Sequence, residues 1–507
     1  MKIKNKTKIV TTIGPASDSL TKIEELISAG TDVFRFNTKH STIEWHNERI
    51  ERVQKIAEKL KKHIGIMIDL QGNEVRIQTR EEKNIMARQD SIIFIGNSFD
   101  NEEVSVVVPD AKVFKKLKKG NLISIDDGSI MLEVIENKKK LIEAKIIDGG
   151  VIKNRKSLNF PGANIKLSSL IKRDMDHLDA IAKKNVTFVA LSFVTSKKDI
   201  QILKKELIKR KMPALIVAKI ENQQAIDNID EIIKEADAIM VARGDLGIEI
   251  PIESIAFWQK EIIKKCRQNR KPVIVATQML HSMIENPRPT RAEVTDVANA
   301  TLDGTDAVML SEETALGKHS VKAVTILDKI IKFNEDKAVF KNNQSQTLTP
   351  TELLIGSVIK EIENNENISK KLKIKTAIVF TETGYTAKVI SSFRSKIKVV
   401  AITKQGHTAK NLSLSYGIMS YCILSEQEYR QNLNQAQSKL CSPVFLSSLS
   451  CDSLSGEKEI DSFCLPKEIL KDLKDKKILT QNETVIVFHG QQTKKPNLLG
   501  FCSLMKI

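Results

Sequence analysis

The chain has 507 residues and a formal net charge of +17 at pH 7, and 5% of its residues are aromatic. This length exceeds what one hydrophobic core usually supports, so we expect two or three domains. The lysines are spread through helical segments and aromatic residues are scarce, which argues against a nucleic-acid-binding protein and favours an anionic small substrate or a compositional bias. The six cysteines form no C-x-x-C pair and no long apolar run occurs. We therefore expect reduced thiols, a cytoplasmic location, no signal peptide and no membrane span.

The first two-thirds of the chain repeat one unit, a short β-rich apolar run followed by an amphipathic helical pattern. Eight such units predict a closed (β/α)8 TIM barrel, and an open doubly wound sheet is the alternative because periodicity does not prove closure. The predicted strands are Lys8–Ile13, Asp32–Asn37, Gly65–Leu70, Thr187–Phe193, Leu215–Ile220, Ala238–Ala242, Pro272–Ala276 and Ala307–Leu310. The predicted helices are Leu20–Ala29, Ile43–Lys61, Arg173–Lys184, Lys197–Arg210, Asp227–Glu235, Ile252–Asn269, Thr290–Leu302 and Ser320–Asn334.

The third unit is interrupted by about a hundred residues, far more than a usual βα loop. Short strand patterns and glycine-containing turns there predict an inserted small β-barrel domain that covers the barrel mouth. Beyond a polar linker, β and α patterns resume and predict a C-terminal α/β domain. The predicted boundaries are 1–77 and 161–340 for the barrel, 78–160 for the insert and 350–507 for the last domain. Within the last domain, the Ser-rich stretch 437–467 is expected to be a variable surface excursion.

Charged side chains interrupt the apolar run that ends at Glu221. Lys219 and Glu221 lie two residues apart and therefore on one face of a strand. A structural ion pair is one interpretation, since burial of a lone charge costs several kcal/mol. The other is a metal and phosphate site, in which Glu221 and Asp245 supply oxygen ligands for Mg²⁺ and Lys219 supplies positive charge.

Every predicted strand from the second onward, except the fourth, delivers polar side chains to the same rim. They are Arg35, Asn37 and Lys39 after the second strand, Asp69 and Gln71 after the third, Lys219 and Glu221 after the fifth, Asp245 after the sixth, Thr277 after the seventh, and Ser311 and Glu313 after the eighth.

Several long stretches resemble the pyruvate kinase family. They are Thr-Ile-Gly-Pro-Ala-Ser at 12–17, Asp-Asp-Gly at 126–128, Asn-Phe-Pro-Gly at 159–162, Ala-Lys-Ile-Glu-Asn at 218–222, Met-Val-Ala-Arg-Gly-Asp-Leu-Gly at 240–247, Ala-Thr-Gln-Met-Leu at 276–280, Asn-Pro-Arg-Pro-Thr-Arg-Ala-Glu at 286–293 and Asp-Gly-Thr-Asp-Ala-Val-Met-Leu-Ser at 303–311. The match covers the barrel and the insert well and the last domain weakly. It implies a barrel, a β-barrel lid and a C-terminal α/β domain, usually assembled as a homotetramer.

The resemblance also implies a reaction, the transfer of phosphate from phosphoenolpyruvate to ADP in glycolysis, followed by protonation of the enolate to pyruvate. Catalytic roles would fall to Lys219, Arg35, Thr277, Ser311 and Glu313. The backbone amides of Arg243, Gly244 and Asp245 would seat the substrate carboxylate, and Glu221 and Asp245 would bind Mg²⁺ or Mn²⁺. Nucleotide contacts would come from Pro15, Trp45, Arg76 and Lys156, although Trp45 could equally be a helix side chain packed on the barrel.

Departures from the family pattern concern mainly a potassium site, which the resemblance places at Asn37, Asp69 and the Leu70 carbonyl. Lys39 replaces the usual Ser of that site, and its ammonium could take the place of the ion and pair with Asp69. This predicts catalysis without K⁺. Other departures replace the usual Thr, Lys and Pro of the third-strand motif with Leu70, Gln71 and Asn73, and place Glu312 where Gly is usual.

Two further expectations rest on the resemblance. The loop from Thr381 to Thr386 resembles a site for sugar-phosphate effectors, but Glu382 puts a negative charge there, and an ordinary strand-to-helix turn is the alternative. The whole chain could also be a degenerate paralogue that binds a nucleotide or phosphometabolite in a regulatory role.

Overall fold

The structure is a computed structural model that describes residues 5–163, 165, 168–340, 348–364, 374–423, 467–475, 478–479, 483–490 and 499–506. The strands are β1 (Lys8–Thr12), β2 (Val33–Asn37), β3 (Gly65–Asp69), β4 (Gln78–Thr79), β5 (Ile85–Ala87), β6 (Ile92–Gly96), β7 (Val104–Val107), β8 (Leu122–Ile125), β9 (Ile130–Asn137), β10 (Leu141–Asp148), β11 (Gly150–Ile152), β12 (Leu158–Asn159), β13 (Phe188–Leu191), β14 (Leu215–Ile220), β15 (Ala238–Ala242), β16 (Val273–Ala276), β17 (Ala307–Leu310), β18 (Thr376–Phe380), β19 (Lys398–Thr403), β20 (Ile418–Cys422), β21 (Thr484–Gly490) and β22 (Leu499–Lys506).

The α-helices are α1 (Leu20–Ala29), α2 (Ile43–Lys59), α3 (Ala111–Lys116), α4 (Lys172–Ile181), α5 (Lys197–Lys209), α6 (Gln223–Asp227), α7 (Ile229–Glu235), α8 (Arg243–Glu249), α9 (Ile255–Gln268), α10 (Arg291–Asp303), α11 (Glu312–Ala315), α12 (Ser320–Glu335), α13 (Pro350–Asn364), α14 (Tyr385–Ser392), α15 (Gly406–Asn411) and α16 (Lys467–Asp475). Short 3₁₀ turns occur at Arg80–Glu82, Ile252–Ser254, His281–Ile284 and Leu412–Leu414. No helix of the described ranges is long and apolar enough to cross a membrane.

Eight parallel strands close into a barrel in the order β1-β17-β16-β15-β14-β13-β3-β2. The closed barrel is confirmed and the open doubly wound sheet is excluded. Alternate residues of each strand point inward, and the inner layer is filled by apolar side chains such as Val10, Val33 and Met240. The opposite faces pack against the surrounding helices in a second, larger apolar layer. The inward residues at the strand ends are therefore the ones free to carry chemistry.

Local sequence signals fix several helix ends close to where the patterns predict them. Thr290 and Glu293 form a reciprocal capping box at the start of α10, because each side chain accepts a hydrogen bond from the other residue's backbone amide. The same helix ends at Gly304, whose φ of 84° is left-handed. The predicted helix Ile252–Asn269 is divided in the structure, since the 3₁₀ turn Ile252–Ser254 precedes α9.

The predicted β insert is confirmed. It is a seven-stranded sheet in the order β12-β8-β9-β10-β6-β7-β4, accompanied by the two-stranded pair β11-β5. Its turn Asp126–Gly128 has positive φ at all three residues and approaches α8, where a methyl group added at Gly128 would lie 4.0 Å from Ile248 Cγ1. The insert therefore reaches the carboxyl-end face of the barrel.

The C-terminal domain is built on a five-stranded sheet in the order β20-β19-β18-β21-β22, in which only β22 is antiparallel to its neighbour. Its Leu414 is fully buried in the apolar layer inside the barrel. Arg394 and Asp306 join the two domains through an ion pair of 2.6 Å. The C-terminal domain thus covers the amino-terminal end of the barrel, opposite the expected site.

Some expectations stay open. The predicted domain boundaries remain predictions. The Ser-rich stretch 437–467 lies outside the described residues, except for Lys467. Cys266 and Cys422 are free thiols.

Candidate active site

Four charged side chains from the ends of β2, β3 and β14 form one buried cluster at the carboxyl end of the barrel. Arg35 of β2 donates from Nε to Asp69 Oδ2 of β3 at 2.7 Å, and its Nη2 lies 2.6 Å from the same oxygen. The Lys219 ammonium of β14 lies 2.8 Å from Glu221 Oε1 and 3.3 Å from Asp69 Oδ1. The predicted convergence of these strand ends is thus observed, with the Lys219 amine pointing into the shared mouth.

Protonation follows from this mutual burial. Burial alone would lower the pKa of the Lys219 ammonium, but Asp69 and Glu221 raise it above the ordinary lysine value. Burial likewise favours the neutral form of Asp69, yet Lys219 and Arg35 outweigh it and lower the pKa of that carboxyl. Lys219 and Asp69 are therefore charged in the folded protein.

Glu221 and Asp245 behave differently. Burial raises the pKa of each carboxyl above its usual value, and Lys219 offsets only part of the rise. Asp245 adds to the effect on Glu221, so the two carboxyls lie within electrostatic range of each other. Glu221 Oε2 accepts a hydrogen bond from Phe193 N at 2.6 Å, and Oε1 lies 2.8 Å from the Lys219 ammonium. The two carboxyls supply oxygen atoms of the kind that divalent cations take as ligands.

The fourth strand contributes a residue that the sequence analysis missed. Ser192 follows β13 and accepts a hydrogen bond from Lys219 Nζ at 2.8 Å, and it donates to the Leu70 carbonyl at 2.8 Å. The prediction that this strand delivers no polar side chain is therefore wrong. The cause is that Ser192 sits inside an apolar run, Ala190-Leu191-Ser192-Phe193-Val194, which gives no sign of which face its hydroxyl occupies. Thr12 was missed as well, although its hydroxyl accepts from Arg35 Nη1 at 3.1 Å.

Thr277 lies beside α8 at the same rim. Its Oγ1 donates to the Ala276 carbonyl at 2.6 Å and accepts from Gly244 N at 2.8 Å. Its φ of 71° is left-handed, a strained backbone for a β-branched residue. The Arg243 side chain turns away from the mouth to Asp296 Oδ1 at 2.6 Å and the Thr277 carbonyl at 2.7 Å. Only the backbone of Arg243 is thus placed for the predicted role.

Glu313 and Ser311 are positioned after β17. Glu313 is buried, and its two oxygens accept from the backbone amides of Leu280 at 3.1 Å and Ser311 at 2.7 Å. The Glu313 carboxylate therefore holds together two segments, the turn that follows β17 and the loop that follows β16.

The three predicted potassium ligands are engaged within the protein. Asn37 Oδ1 accepts from Lys39 N at 3.1 Å, Asp69 is paired as described, and the Leu70 carbonyl accepts from Ser192. The expected pairing of Lys39 with Asp69 is wrong, since Lys39 Nζ lies 2.8 Å from Glu74 Oε1. Arg35 and Lys219 already neutralise Asp69, which leaves Glu74 as the accessible partner. Lys39 still lowers the pKa of Asp245 and so contributes positive charge to the mouth.

Comparison with known proteins identifies the family of this chain. The family models described as pyruvate kinase, barrel domain, and pyruvate kinase, alpha/beta domain, match residues 4–324 and 363–507. The chain belongs to the pyruvate kinase family. A pyruvate kinase of Thermococcus litoralis is 38% identical over 427 residues, which cover 83% of this chain and 89% of that protein. One of Bacillus licheniformis is 39% identical over 419 residues, which cover 82% of this chain and 71% of that protein.

A solved structure gives the same result for the fold. The crystal structure of a pyruvate kinase from Cryptosporidium parvum superimposes with a TM-score of 0.84 at 29% identity, covering 99% of this chain and 96% of that one. The chain is accordingly a phosphotransferase of the pyruvate kinase type, and its barrel, insert and C-terminal α/β domain are those of the family.

The residues that the pyruvate kinase resemblance assigns to the nucleotide lie at the edge of the mouth and on the insert. Arg76 donates from Nη1 to the Arg155 carbonyl at 2.6 Å, and Lys156 Nζ lies 2.7 Å from Asp126 Oδ1. Both cations are partly exposed, as is the backbone at Pro15. The Trp45 ring packs edge-on against His46 at 5.1 Å, and the Arg49 guanidinium covers it at 4.8 Å. These contacts favour a packing role for Trp45.

The loop that resembles the family's effector site is closed by its own hydrogen bonds. Thr381 Oγ1 accepts from Gly384 N at 2.9 Å, and Thr383 Oγ1 from Tyr385 N at 3.4 Å. Glu382 is exposed and lies 3.2 Å from Lys404. The loop therefore has the geometry of a strand-to-helix turn before α14, with its negative charge partly balanced.

Proposed function

We propose that the cluster of Lys219, Arg35, Asp69 and Glu221 is where this chain transfers the phosphoryl group of phosphoenolpyruvate to ADP. In this reaction the bond between phosphorus and the enolate oxygen breaks, and a bond between phosphorus and a terminal ADP oxygen forms. The enolate then takes a proton at its terminal carbon and becomes pyruvate. The observation that carries the proposal is the Lys219 ammonium, held among Asp69, Glu221 and Ser192 at the barrel mouth.

Lys219 acts as a fixed positive charge. Because its pKa is raised, the ammonium keeps its proton and stabilises negative charge on the phosphoryl oxygens without donating a proton. Asp69 holds both cations, since it contacts Lys219 and Arg35 at once. Arg35 would bind the phosphoryl group from the other side with the guanidinium nitrogens that Asp69 leaves available.

Glu221 and Asp245 would hold Mg²⁺ or Mn²⁺. The raised pKa of each carboxyl supports this assignment, because a divalent cation beside the two carboxylates supplies positive charge that favours their ionised forms. The bound cation would withdraw electron density from the substrate's enolate oxygen and carboxylate. Phe193 fixes the orientation of Glu221 through its backbone amide.

Thr277 and the first turn of α8 would bind the substrate carboxylate and line the path of the proton. The amide of Gly244 is now satisfied by the Thr277 hydroxyl, so a carboxylate would compete for that amide and release the hydroxyl toward the enolate. Ser311 would belong to the proton path. Glu313 would act as a positioning residue, because its oxygens hold the Leu280 and Ser311 amides.

The nucleotide would lie between barrel and insert, with phosphates at Arg76 and Lys156 and the base near Pro15 and Trp45. The position of the insert supports this arrangement, since Asp127 of the insert lies close enough to the mouth to raise the pKa of Asp245. Exposed apolar side chains at Ile252 and Phe257 support a homotetramer. A cytoplasmic location fits the family's place in glycolysis, and a sugar-phosphate effector at 381–386 remains a proposal.

Catalysis would proceed without K⁺, with Lys39 as the internal monovalent cation. The support is that the three expected potassium ligands are engaged and that Lys39 acts on Asp245. Activity of the wild type should stay flat from zero to saturating KCl in a potassium-free background. Lys39→Ser should lower activity and restore activation by KCl, and strong activation of the wild type would contradict the proposal.

A coupled assay for pyruvate from phosphoenolpyruvate, ADP and Mg²⁺ tests the assignment. Lys219→Met should lower kcat about a hundredfold to a thousandfold, the cost of losing one group that stabilises charge at a transition state. Lys264→Met is the matched control, because Lys264 is exposed and pairs with Glu261 on its own helix. Binding of phosphoenolpyruvate or ADP without turnover in the wild type would instead favour the regulatory paralogue.

A further inference from the structure

A basic crevice that is open to solvent lies between the amino-terminal end of the barrel and the C-terminal domain. Residues from the end of α9 and the starts of β16 and β17 form its barrel side, and residues of α14 and of the segment before β20 form the other. Five cationic side chains line it against one acidic side chain. The cations are Arg267, Arg270, Lys271, Lys388 and Arg394, and the acid is Asp306.

The carboxylates near the crevice already have partners. Asp237, whose charge favours the ammonium forms of Lys388 and Lys271, accepts a hydrogen bond from the backbone amide of Ile216 at 2.9 Å. Asp306 is buried, pairs with Arg394 at 2.6 Å and accepts from the backbone amides of Tyr416 and Val273. Glu352 pairs with Arg270 at 2.6 Å. Among the described residues, no carboxylate lies within ion-pair distance of the remaining three cations, Arg267, Lys271 and Lys388. The crevice therefore carries an excess of positive charge.

Polar atoms in the crevice also lack partners. Ser415 is 1% exposed, and neither its Oγ nor the buried Nε of Arg267 has a hydrogen-bond partner among the residues that the structure describes. Buried donors without partners cost stability, so such groups usually mark a bound ligand or an ordered solvent site.

The pKa shifts of the crevice cations are those expected of buried cations that have no anion beside them. Burial lowers the pKa of Lys388 and of Lys271, and it lowers the pKa of Arg267 to about 10, helped by the neighbouring Arg394. A lysine that has its own carboxylate shows the reverse shift, as Lys219 does.

We propose that this crevice binds a phosphoryl group, either inorganic phosphate or the phosphate of a small phosphomonoester, through Lys388, Arg267 and the Ser415 hydroxyl. Cations and hydroxyls are the partners that phosphate oxygens take in proteins. The phosphoryl group would bridge two domains, because Arg267 belongs to the barrel and Lys388 to the C-terminal domain. The site lies at the opposite end of the barrel from the catalytic mouth.

Equilibrium dialysis of the full chain with radiolabelled inorganic phosphate tests the proposal. We expect about one phosphate per chain beyond any bound at the mouth, and Lys388→Gln should weaken that binding roughly tenfold to a hundredfold, the value of one charge-assisted hydrogen bond. Lys264→Gln is the matched control, since Lys264 lies one turn before Arg267 on α9 and faces solvent. Equal binding by Lys388→Gln and the wild type would overturn the proposal.

Two further measurements separate this site from the catalytic mouth and identify the ligand's source. Arg35→Gln removes a phosphoryl-binding cation at the mouth, so it should leave the crevice phosphate in place whether or not the chain is an active kinase. Loss of all phosphate binding in Arg35→Gln would overturn the proposal. Glycerol 2-phosphate should compete with inorganic phosphate if esters enter, whereas phosphate binding without competition would limit the site to the free ion.

The unliganded protein offers an independent check. Lys388 is buried, and among the described residues no carboxylate lies within ion-pair distance of it. Lys388→Met should therefore raise Tm in phosphate-free buffer, and phosphate should raise the Tm of the wild type more than that of the variant at equal ionic strength. A Tm of Lys388→Met below that of the wild type in phosphate-free buffer would show that the ammonium is already satisfied, and the site would be withdrawn.

Discussion

The two ends of the barrel carry opposite charge imbalances. At the carboxyl end, the three acids Asp69, Glu221 and Asp245 face two buried cations, Arg35 and Lys219, while Lys39 adds positive charge from the rim. Burial raises the pKa of Glu221 and Asp245. At the amino end, five cations surround Asp306. One scaffold thus creates two polar sites of opposite sign, and we propose for each a ligand of opposite charge.

Two buried lysines show the difference most clearly. The pKa of Lys219 is raised because Asp69 and Glu221 outweigh the cost of burial, whereas the pKa of Lys388 is lowered because burial dominates. Lys219 is therefore a permanent charge suited to stabilising a reacting phosphoryl group. The charged form of Lys388 is destabilised by burial, and a bound anion would stabilise it.

Asp69→Asn should produce the largest combined effect at the carboxyl end. It removes the common partner of Arg35 and Lys219, so we expect kcat to fall about a hundredfold through misplacement of both cations. Removal of one partner from a buried ion pair should also cost about 3–5 kcal/mol of unfolding free energy. The coupled assay and urea denaturation measure the two effects.

The matched control for this change is Asp230→Asn, which breaks the exposed pair with Lys265. Its unfolding free energy should change by less than about 1 kcal/mol, and its kcat should not change. Equal kcat in Asp69→Asn and the wild type would show that Asp69 does not position the catalytic cations.

Arg394→Met applies the corresponding change at the amino end. It leaves Asp306 buried without its cation, so we expect a loss of about 3 kcal/mol in unfolding free energy. Because Arg394 lies far from the mouth, the folded variant should keep most of its kcat at low temperature. A drop in kcat as large as that of Asp69→Asn would show that the two ends are coupled and would end their treatment as separate sites.

The fold could be predicted because both of its signals are local. Parallel strands buried on both faces read as continuous apolar runs, such as Ala238–Ala242, and the helices between them follow a helical period. The polar rim followed from the same rule, since the side chains two apart at strand ends share a face.

The contacts of the rim could not be predicted, because they depend on how neighbouring loops meet. Lys39 pairs with Glu74, which lies beyond β3 in a loop whose path no periodicity specifies. Ser192 stands among apolar residues in the sequence, and its hydroxyl meets the Lys219 ammonium only because the barrel closes. The basic crevice left no signal, because its residues come from segments far apart in the chain and meet only when the two domains pack.

Ser192→Ala tests the residue that the sequence did not reveal. The change removes the hydroxyl that accepts from the Lys219 ammonium, so kcat should fall about tenfold with little change in KM, as for loss of one hydrogen bond to a charged group. Ser98→Ala is the control, since that hydroxyl bonds Asp100 on the insert. An unchanged kcat in Ser192→Ala would mean that Asp69 and Glu221 alone hold the ammonium in place.

The smallest expected effect is a difference in pH dependence at the amino end. A lysine whose pKa is lowered in the folded state binds fewer protons there than in the unfolded chain, so unfolding free energy rises with pH from the lowered pKa up to the ordinary 10.5. Lys388→Met lacks this titration. In phosphate-free buffer, the unfolding free energy of the wild type should therefore increase relative to that of the variant as pH rises toward 10.5, as measured by urea denaturation at several pH values. Saturating phosphate should reduce this increase, because an anion beside Lys388 restores its pKa. Parallel pH profiles for the two proteins would show that the pKa of Lys388 is not lowered by folding, and that the two ends of the barrel differ less than their side chains indicate.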